Sequence, residues 1–278
     1  MELKATRYAV DDRIATIMLH RPERMNAWTG RMHAEYRHCL QVADRDANVG
    51  VIVVTGAGRG FCVGGDSEAL QGHVAKGGYD PGTPARLAQP GFGTSAEFDA
   101  SFAYHFGLSK PVIAAINGPV AGVGLALACF ADIRFAAAGI KMTTAHGKLN
   151  LPAEYGLSWL LPRMIGLTRA NELLLTSRPF LAEEALAIGL VNAVHPVAEL
   201  LPQTYAFAMN MIATVSPNSL RQTRWQIYRD LHRDVGESVR DSEALLATMT
   251  KERDYAEGVA AFVEKRKPAW GGLDGAND

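Results

Sequence analysis

The amino-acid sequence of 278 residues predicts an α/β fold. Short runs of strand length, either apolar or alternating, recur between segments with helical spacing. Two of these runs are followed by glycine-rich turns, as is typical of layered folds in which strand gives way to helix. Beyond about Val197 only helical spacing remains. These observations predict an α/β core over residues 1–196 and a helical region over residues 197–278.

The strands of the core are predicted from the order of their side chains. Residues 13–20 alternate apolar and polar positions, as a half-buried strand does, and residues 51–55 form an apolar run. Two further runs, Val112–Ile116 and Ile133–Ala137, have the same length. Between the first two strands, residues 31–46 show the spacing of an amphipathic helix. We therefore expect stacked layers of strands and helices.

A loop and several helices account for the remainder. Residues 72–93 are dense in glycine and proline and follow neither period, which predicts a loop. Helical spacing resumes at residue 97. The C-terminal helices are predicted over residues 220–231, 237–250 and 255–265.

Charge and cysteine content exclude several classes of protein. The 28 Lys and Arg residues nearly balance the 29 Asp and Glu residues, so we expect no nucleic-acid partner and no anionic membrane partner. Cys39, Cys62 and Cys129 are odd in number and form no CxxC pair, which fits neither a disulfide framework nor a metal site. We interpret them as reduced thiols. Because residues 2–13 also lack the apolar core of a signal peptide, a cytoplasmic location is expected.

One stretch resembles a membrane span in length. Residues 111–131 carry no charged side chain over about the length of a bilayer crossing. Asn117, Gly118 and Pro119 interrupt this stretch, and a span would leave their freed backbone groups in lipid. We predict instead a strand, a turn, and a helix of small residues that begins near Gly122.

Two glycine-rich turns are the candidate ligand-binding segments. They are RGFCVGGD at residues 59–66 and NGPVAGVG at residues 117–124. Glycine permits close backbone approach and positive φ, and a helix that begins at the second turn directs free N–H groups towards an anion. Neither turn matches the GxGxxG fingerprint of dinucleotide-binding proteins. Taken alone, a turn of this kind is more often structural than ligand-binding.

Five segments of the chain form a series. They are HRPERMNA at residues 20–27, the two glycine-rich turns with the following Asp132, YGLSWLLPRMIG at residues 155–166, and EGVAAFVEKRKP at residues 257–268. In this order they resemble the signature blocks of the crotonase, or enoyl-CoA hydratase/isomerase, superfamily. The resemblance spans nearly the whole chain, and five blocks in order are far more specific than any single one.

This resemblance implies a fold, a substrate and an oxyanion hole. The fold is the ClpP/crotonase-like spiral of ββα units with two roughly perpendicular sheets, and its C-terminal helices build a homotrimer or a dimer of trimers. The substrate is an acyl-CoA thioester, with coenzyme A as part of the substrate and no separate cofactor. The oxyanion hole is the pair of backbone N–H groups of Gly65 and Val123. Gly64, Asp66 and Gly122 are the neighbouring substrate contacts.

The resemblance also implies where coenzyme A binds. It places Arg24 and the backbone around Ala27 near the phosphates and adenine. Phe262 and Lys265 contribute a stacking face and a cation from a neighbouring subunit. The alternative interpretation is that Arg24 and Lys265 are solvated surface charges and that Phe262 belongs to a helix core. Glu68 stands where relatives commonly carry a lysine, which leaves one phosphate contact unsupported.

Two departures from the family pattern argue against hydration. A hydratase of this family positions water with two glutamates and moves its proton through them, and these positions fall here on Ala126 and His146. Glu154, in LPAEYG, stands where several non-hydratase relatives carry their working acid. In isomerases such an acid moves a proton along the acyl chain, and burial beside an apolar pocket would raise its pKa to suit that task. The sequence therefore favours isomerisation.

Other interpretations stay open at this point. His146 and Glu154 could direct water in a hydrolase that cleaves a C–C or thioester bond. The chain could also be an acyl-CoA-binding homologue without turnover. In purely structural roles, Glu154 would cap the following helix and His146 would be a satisfied histidine at a strand end.

Overall fold

A computed structural model of the protein describes residues 1–78 and 87–273. The strands within these ranges are β1 (Thr6–Asp11), β2 (Ile14–Leu19), β3 (Val51–Gly56), β4 (Val112–Ile116), β5 (Val120–Ala121), β6 (Ile133–Ala137), β7 (Lys141–Thr143), β8 (Phe180–Leu181) and β9 (Ala193–His195). The α-helices within these ranges are α1 (Gly30–Arg45), α2 (Ser67–Lys76), α3 (Val123–Cys129), α4 (Leu157–Thr176), α5 (Ala182–Ala187), α6 (Val197–Thr214), α7 (Pro217–Asp230), α8 (Val235–Met249) and α9 (Arg253–Glu264).

Over the described residues the strands form a larger and a smaller sheet. The larger sheet has the order β1-β2-β3-β4-β6-β9, in which β1 and β2 are antiparallel and all later neighbours are parallel. In the smaller sheet β7 lies between β5 and β8. Parallel neighbours need crossover connections, and α1 and α3 supply two of them. The architecture is α/β, as the sequence predicts.

The central strands are buried along their whole length. Every residue of β3 and of β4 is buried, because strands covered on both faces read as continuous apolar runs. Helix α6 packs against five strands of the larger sheet, although it begins after the predicted core boundary at residue 196. Part of the cover of the sheet therefore comes from the helical region.

A buried arginine is one of the side chains that attach helix α7 to the core. The Arg224 guanidinium donates to Oδ2 of Asp132 at 2.8 Å and to the carbonyl oxygens of Phe106 and Leu108 at 3.0 and 2.7 Å. A buried charge is tolerated when its donors are satisfied in this way. The helical region is thereby fixed to the segment that precedes β4.

The predicted helix after residue 97 is wrong. Two short 3-10 segments, Ala96–Phe98 and Ala103–Gly107, occupy this part of the chain. Phe102 separates them with φ at 63°, a value that breaks a helix and that a bulky side chain rarely adopts. Its ring is completely buried, so tertiary packing overrides the local helical pattern.

The predicted loop at residues 72–93 is partly wrong. Helix α2 extends to Lys76 before the chain turns at Gly77, while residues 79–86 lie outside the described residues. The Asp66 side chain caps the helix by accepting from the N–H of Glu68 at 2.9 Å. None of the residues of α2 is fully buried, so the apolar periodicity that signals a packed helix is weak.

The helices of the described ranges include none with the combination of length and hydropathy that a bilayer crossing requires. The uncharged stretch at residues 111–131 is divided among β4, β5 and α3, with the helix beginning immediately after Gly122 as predicted.

Candidate active site

The two glycine-rich turns lie against each other beyond the carboxyl ends of β3 and β4. Cys62 and Val120 form an isolated parallel bridge, and the N–H of Ala121 donates to the carbonyl oxygen of Cys62 at 3.0 Å. A Cβ at Gly124 would lie 2.2 Å from that same oxygen, so only glycine permits this approach. The packing of the turns brings residues 63–66 beside the start of α3.

One free amide comes from the first turn. Trp28 and Gly65 form a parallel bridge in which the N–H of Trp28 donates to Gly64 and the N–H of Asp66 donates to Trp28, at 2.8 and 3.0 Å. In a parallel ladder the residue between two such bonds directs its own N–H to the other side. Gly65 lines the cavity on that side, and its amide makes no hydrogen bond to the described residues.

The second free amide comes from α3. Val123 is the first residue of this helix, and first-turn amides have no acceptor within a helix. Gly122 precedes it at φ 50° and donates its own N–H to the carbonyl oxygen of Thr143 at 3.1 Å. Val123 lines the same cavity as Gly65. The structure therefore brings both predicted donors to one cavity.

The cavity has a volume of about 230 Å³ and a mainly apolar lining. Its apolar and aromatic lining residues are Trp28, Val63, Ala69, Leu70, Val123, Ala145, Leu149, Leu151 and Tyr155. Its titratable lining residues are Asp66, His73, His146 and Glu154. An apolar pocket with a few converging polar groups is the usual form of a small-molecule site.

Glu154 lies beside the turn that carries Gly122 and Val123. A Cβ at Gly122 would lie 3.7 Å from Oε2 of Glu154. Burial raises the pKa of the Glu154 carboxyl, while the nearby His146 lowers it. Glu154 caps neither its own 3-10 turn nor α4, so the capping role considered above is not present in the described residues. Tyr155 follows with φ at 48°, and backbone strain of this kind concentrates at functional sites.

His146 faces the same cavity from the turn after β7. The residue is only 6% exposed, and its Nδ1 atom is buried without a hydrogen-bond partner in the described residues. The described residues therefore leave one ring nitrogen of His146 unpaired, which does not fit the interpretation as a fully satisfied histidine. Ala145, immediately before it, has φ at 58°, so both titratable candidates adjoin a strained backbone position.

Ala126 lies one turn after Val123 and is completely buried in α3. It does not belong to the cavity lining found among the described residues. Helix α3 thus supplies a backbone donor to the site and no carboxylate. The described ranges also contain no group of three or more His, Cys, Asp or Glu side chains placed to hold a metal.

Arg21, which sequence reasoning missed, organises the predicted coenzyme A segment. Its guanidinium lies 2.9 Å from Oδ2 of Asp66 and donates to the carbonyl oxygen of Ala27 at 2.7 Å. Arg24 forms an exposed ion pair with Glu68 on α2. The side chains of Asp66 and Arg24 are thus both engaged within the chain, and their contacts with a ligand remain predictions.

Phe262 and Lys265 lie at the end of α9 and do not line the cavity of their own chain. The Phe262 side chain is 84% exposed, which excludes the helix-core interpretation within a single chain. Their contribution to a neighbouring site remains a prediction.

Comparison with known proteins places this geometry in a family. The model of the enoyl-CoA hydratase/isomerase family matches residues 10–273. The chain belongs to this family, within the crotonase superfamily. A probable enoyl-CoA hydratase/isomerase from Mycobacterium abscessus has a solved structure with a TM-score of 0.84 at 30% identity, covering 96% of this chain and 99% of that one.

Two curated relatives of this enoyl-CoA hydratase/isomerase family member carry different activities in their names. The 1,2-epoxyphenylacetyl-CoA isomerase of Escherichia coli is 33% identical and covers 95% of this chain and 97% of its own length. A probable enoyl-CoA hydratase of Mycobacterium tuberculosis is 37% identical and covers 92% of this chain and 89% of its own length. The family is established, whereas the names of the relatives do not separate isomerisation from hydration.

Proposed function

We propose that the protein isomerises an acyl-CoA thioester through an enolate. The observation that carries this proposal is the position of Glu154, half-buried in an apolar cavity and next to the turn that presents the N–H of Val123. Its raised pKa suits a group that must accept a proton from carbon and return it.

The proposed reaction has two proton transfers. The Glu154 carboxylate removes a proton from a carbon conjugated with the thioester carbonyl, and the electron pair moves to the carbonyl oxygen. The N–H groups of Gly65 and Val123 stabilise this enolate, and two fixed donors of this kind contribute several kcal/mol in total. Protonated Glu154 then gives its proton to another carbon of the acyl group, so that the double bond moves without a change of mass.

Hydration is disfavoured because no carboxylate accompanies Glu154 in the cavity at the positions that hydratases use. Ala126 is buried within α3 and His146 replaces the other glutamate. Asp66, the other carboxylate in the lining, is held by Arg21 and by the first turn of α2. Water would therefore lack its second positioning group.

The test is incubation of the full chain with a panel of unsaturated acyl-CoA thioesters, followed by mass spectrometry and by NMR of the product. Isomerisation moves the double bond at constant mass. A product heavier by one water would refute the proposal in favour of hydration. Thermal stabilisation by acyl-CoA without any product would instead identify a binding protein without turnover.

Hydrolysis is the second candidate, because of the buried Nδ1 atom of His146 that finds no partner in the described residues. A histidine beside a carboxylate can take a proton from water, which then attacks a thioester or a β-keto carbon. Release of free coenzyme A, or cleavage of the acyl chain, distinguishes this reaction from isomerisation in the same assay.

We also propose how coenzyme A is held. Arg24 and the backbone at Ala27 bind its phosphates and adenine, and Phe262 and Lys265 reach it from a neighbouring subunit of a homotrimer or a dimer of trimers. The exposure of Phe262 supports this arrangement. The acyl-CoA is the substrate in this proposal, and no further cofactor takes part.

A further inference from the structure

Two aromatic residues line the cavity next to the candidate reacting groups. Trp28 pairs through its backbone with the turn that carries Gly65, and Tyr155 follows Glu154 directly in sequence. Both residues line the cavity. Each also contacts the ring of Phe102, with centroids 5.7 Å apart for Trp28 and 4.9 Å apart, edge to face, for Tyr155. We call Trp28, Tyr155 and Phe102 the aromatic wall.

Phe102 is held firmly at the back of this wall. It is completely buried, and four further rings lie within 6.2 Å of its own, namely those of His33, Tyr104, His105 and Phe130. His105 is itself fixed, because Tyr36 bonds to its Nε2 at 2.7 Å and its Nδ1 lies 2.6 Å from the carbonyl oxygen of Phe102. A close-packed interior of this kind does not move aside for a ligand.

The charge state of this backing favours apolar contact. Burial lowers the pKa of His105 to about 3 and that of His33 to about 4, so both rings are neutral near pH 7. The remaining apolar lining, from Val63, Leu70, Leu149 and Leu151, is aliphatic. The aromatic wall and this aliphatic lining therefore offer ring edges and methyl groups to a planar apolar group.

We propose that the acyl group of the substrate carries an aromatic or similarly unsaturated ring close to the thioester, and that Phe102 is the positioning residue that holds the wall against it. This inference rests on the proposed acyl-CoA function. The ring lies close to the thioester because the wall adjoins both the Gly65 amide and the Glu154 carboxylate. A long flexible chain gains no comparable contact with rings that are fixed in place.

The experiment compares the affinities of phenylacetyl-CoA and octanoyl-CoA, which have the same number of acyl carbons and share the coenzyme A moiety. One aromatic pair favours a ring by roughly two- to tenfold. We expect the wild-type protein to bind phenylacetyl-CoA at least about fivefold more tightly. Trp28→Leu and Phe102→Leu should each reduce this ratio to about one, because each removes part of the wall.

Phe98→Leu is the matched control. Phe98 is also buried in the aromatic core, but its ring contacts Phe106 and not the wall. It should lose stability to a similar extent and keep the wild-type ratio. If Phe102→Leu does not fold, the affinity ratio of Trp28→Leu alone tests the role of the aromatic wall.

The outcomes separate the two proposals. Equal binding, or tighter binding of octanoyl-CoA by the wild type, overturns the ring proposal and leaves the acyl-CoA function intact. A ratio that survives in Trp28→Leu likewise overturns the role of the wall. Failure of both thioesters to bind overturns the proposed function together with this inference.

Discussion

Glu154 is the side chain on which the proposed chemistry depends. Glu154→Gln keeps the size of the residue and removes the transferable proton. We expect turnover to fall by about a hundred- to ten-thousand-fold while acyl-CoA affinity stays nearly constant. Steady-state kinetics together with calorimetric titration measure the two effects separately.

The matched control for this variant is Glu199→Gln, which makes the same change at an exposed position in the first turn of α6. It should retain wild-type turnover and affinity. Full activity of Glu154→Gln on the true substrate would contradict the mechanism, and loss of affinity alone would indicate a structural role for Glu154.

Substitution of His146 distinguishes the proposed isomerase reaction from the hydrolase reaction. In an isomerase His146→Ala should reduce the rate by less than about tenfold, whereas a hydrolase that needs a base for water should lose at least about a hundredfold. A severe loss, with free coenzyme A among the wild-type products, would replace the isomerase proposal by the hydrolase. His38→Ala, a half-buried histidine on α1 outside the cavity lining, is the control.

His146→Ala should also shift the pH dependence of kcat/KM. Glu154 must be ionised to accept the first proton, so kcat/KM should rise with pH as its carboxyl ionises. Burial raises the pKa of this carboxyl and His146 lowers it, so His146→Ala should move the rising limb to higher pH. A limb that stays in place, or moves to lower pH, would show that a different group controls the profile.

The sequence motifs locate the proposed reacting residues, but they do not locate the residues that surround them. Gly65, Val123 and Glu154 lie in motifs whose order is visible along the chain, and the structure brings them to one cavity. Phe102 carries no local signal, because its role arises from contacts with Trp28 and Tyr155, 74 and 53 positions away in the sequence. From the sequence alone, Phe102 cannot be distinguished from any other buried phenylalanine of the core.

Helix α2 depends on its capping residue more than on burial. Asp66 accepts from the N–H of Glu68 and forms an ion pair with Arg21, whose side chain is 21% exposed. Loss of a cap costs about 1 kcal/mol, and loss of a partly exposed ion pair costs up to about 1 kcal/mol more. Asp66→Ala should therefore lower the free energy of unfolding by about 2 kcal/mol, measured by urea denaturation.

Asp66→Asn separates the two contributions, because asparagine keeps the cap and removes the charge. Burial by itself would raise the pKa of Asp66, but the hydrogen bonds from Arg21 and the amide of Glu68 lower it below its ordinary value of 3.8. The charge-dependent part of the stability is thus present above that pH and is lost as the pH falls below it. An Asn variant as unstable as the Ala variant at neutral pH would contradict the capping role.

Strands and helices could be predicted from the sequence where their residues are uniformly buried. They could not be predicted where contacts with distant residues determine the backbone conformation. Val112–Ile116 and Ile133–Ala137 match β4 and β6 at both ends, since both strands lie inside the parallel sheet. Strand β1 was missed because most of its residues are exposed at the sheet edge. The helix predicted after residue 97 is wrong because the packing of Phe102 holds its backbone outside the helical region, against the local apolar pattern.

The C-terminal helices leave apolar side chains uncovered in a single chain. Leu246, Phe262 and Val263 are 62%, 84% and 72% exposed. Leu246 and Phe262 line one mainly apolar groove, and an exposed apolar patch of this kind favours burial against another chain. We expect sedimentation of the full chain to show a trimer or a hexamer at micromolar concentration, and Leu246→Asp with Val263→Asp to shift it towards smaller, less stable species.

Val74→Asp places the same charge on α2, at an apolar residue that is 84% exposed and outside the C-terminal helices. This control should leave the assembly unchanged. A well-folded, active monomer at micromolar concentration would contradict the proposed assembly and the contribution of Phe262 and Lys265 to a neighbouring site.

The hydrogen bonds of Arg224 connect α7 to a segment that is synthesised much earlier, which bears on the order in which parts of the chain fold. Its guanidinium donates to the carbonyl oxygens of Phe106 and Leu108, 118 and 116 positions earlier, within or next to the segment that carries Phe102. Closing so long a loop costs conformational entropy, so these contacts depend on other interactions that hold the two segments together. We therefore expect the segment next to Phe102 to become rigid only after α7 has packed against it. During synthesis, the segment next to Phe102 lacks these hydrogen bonds until α7 has left the ribosome.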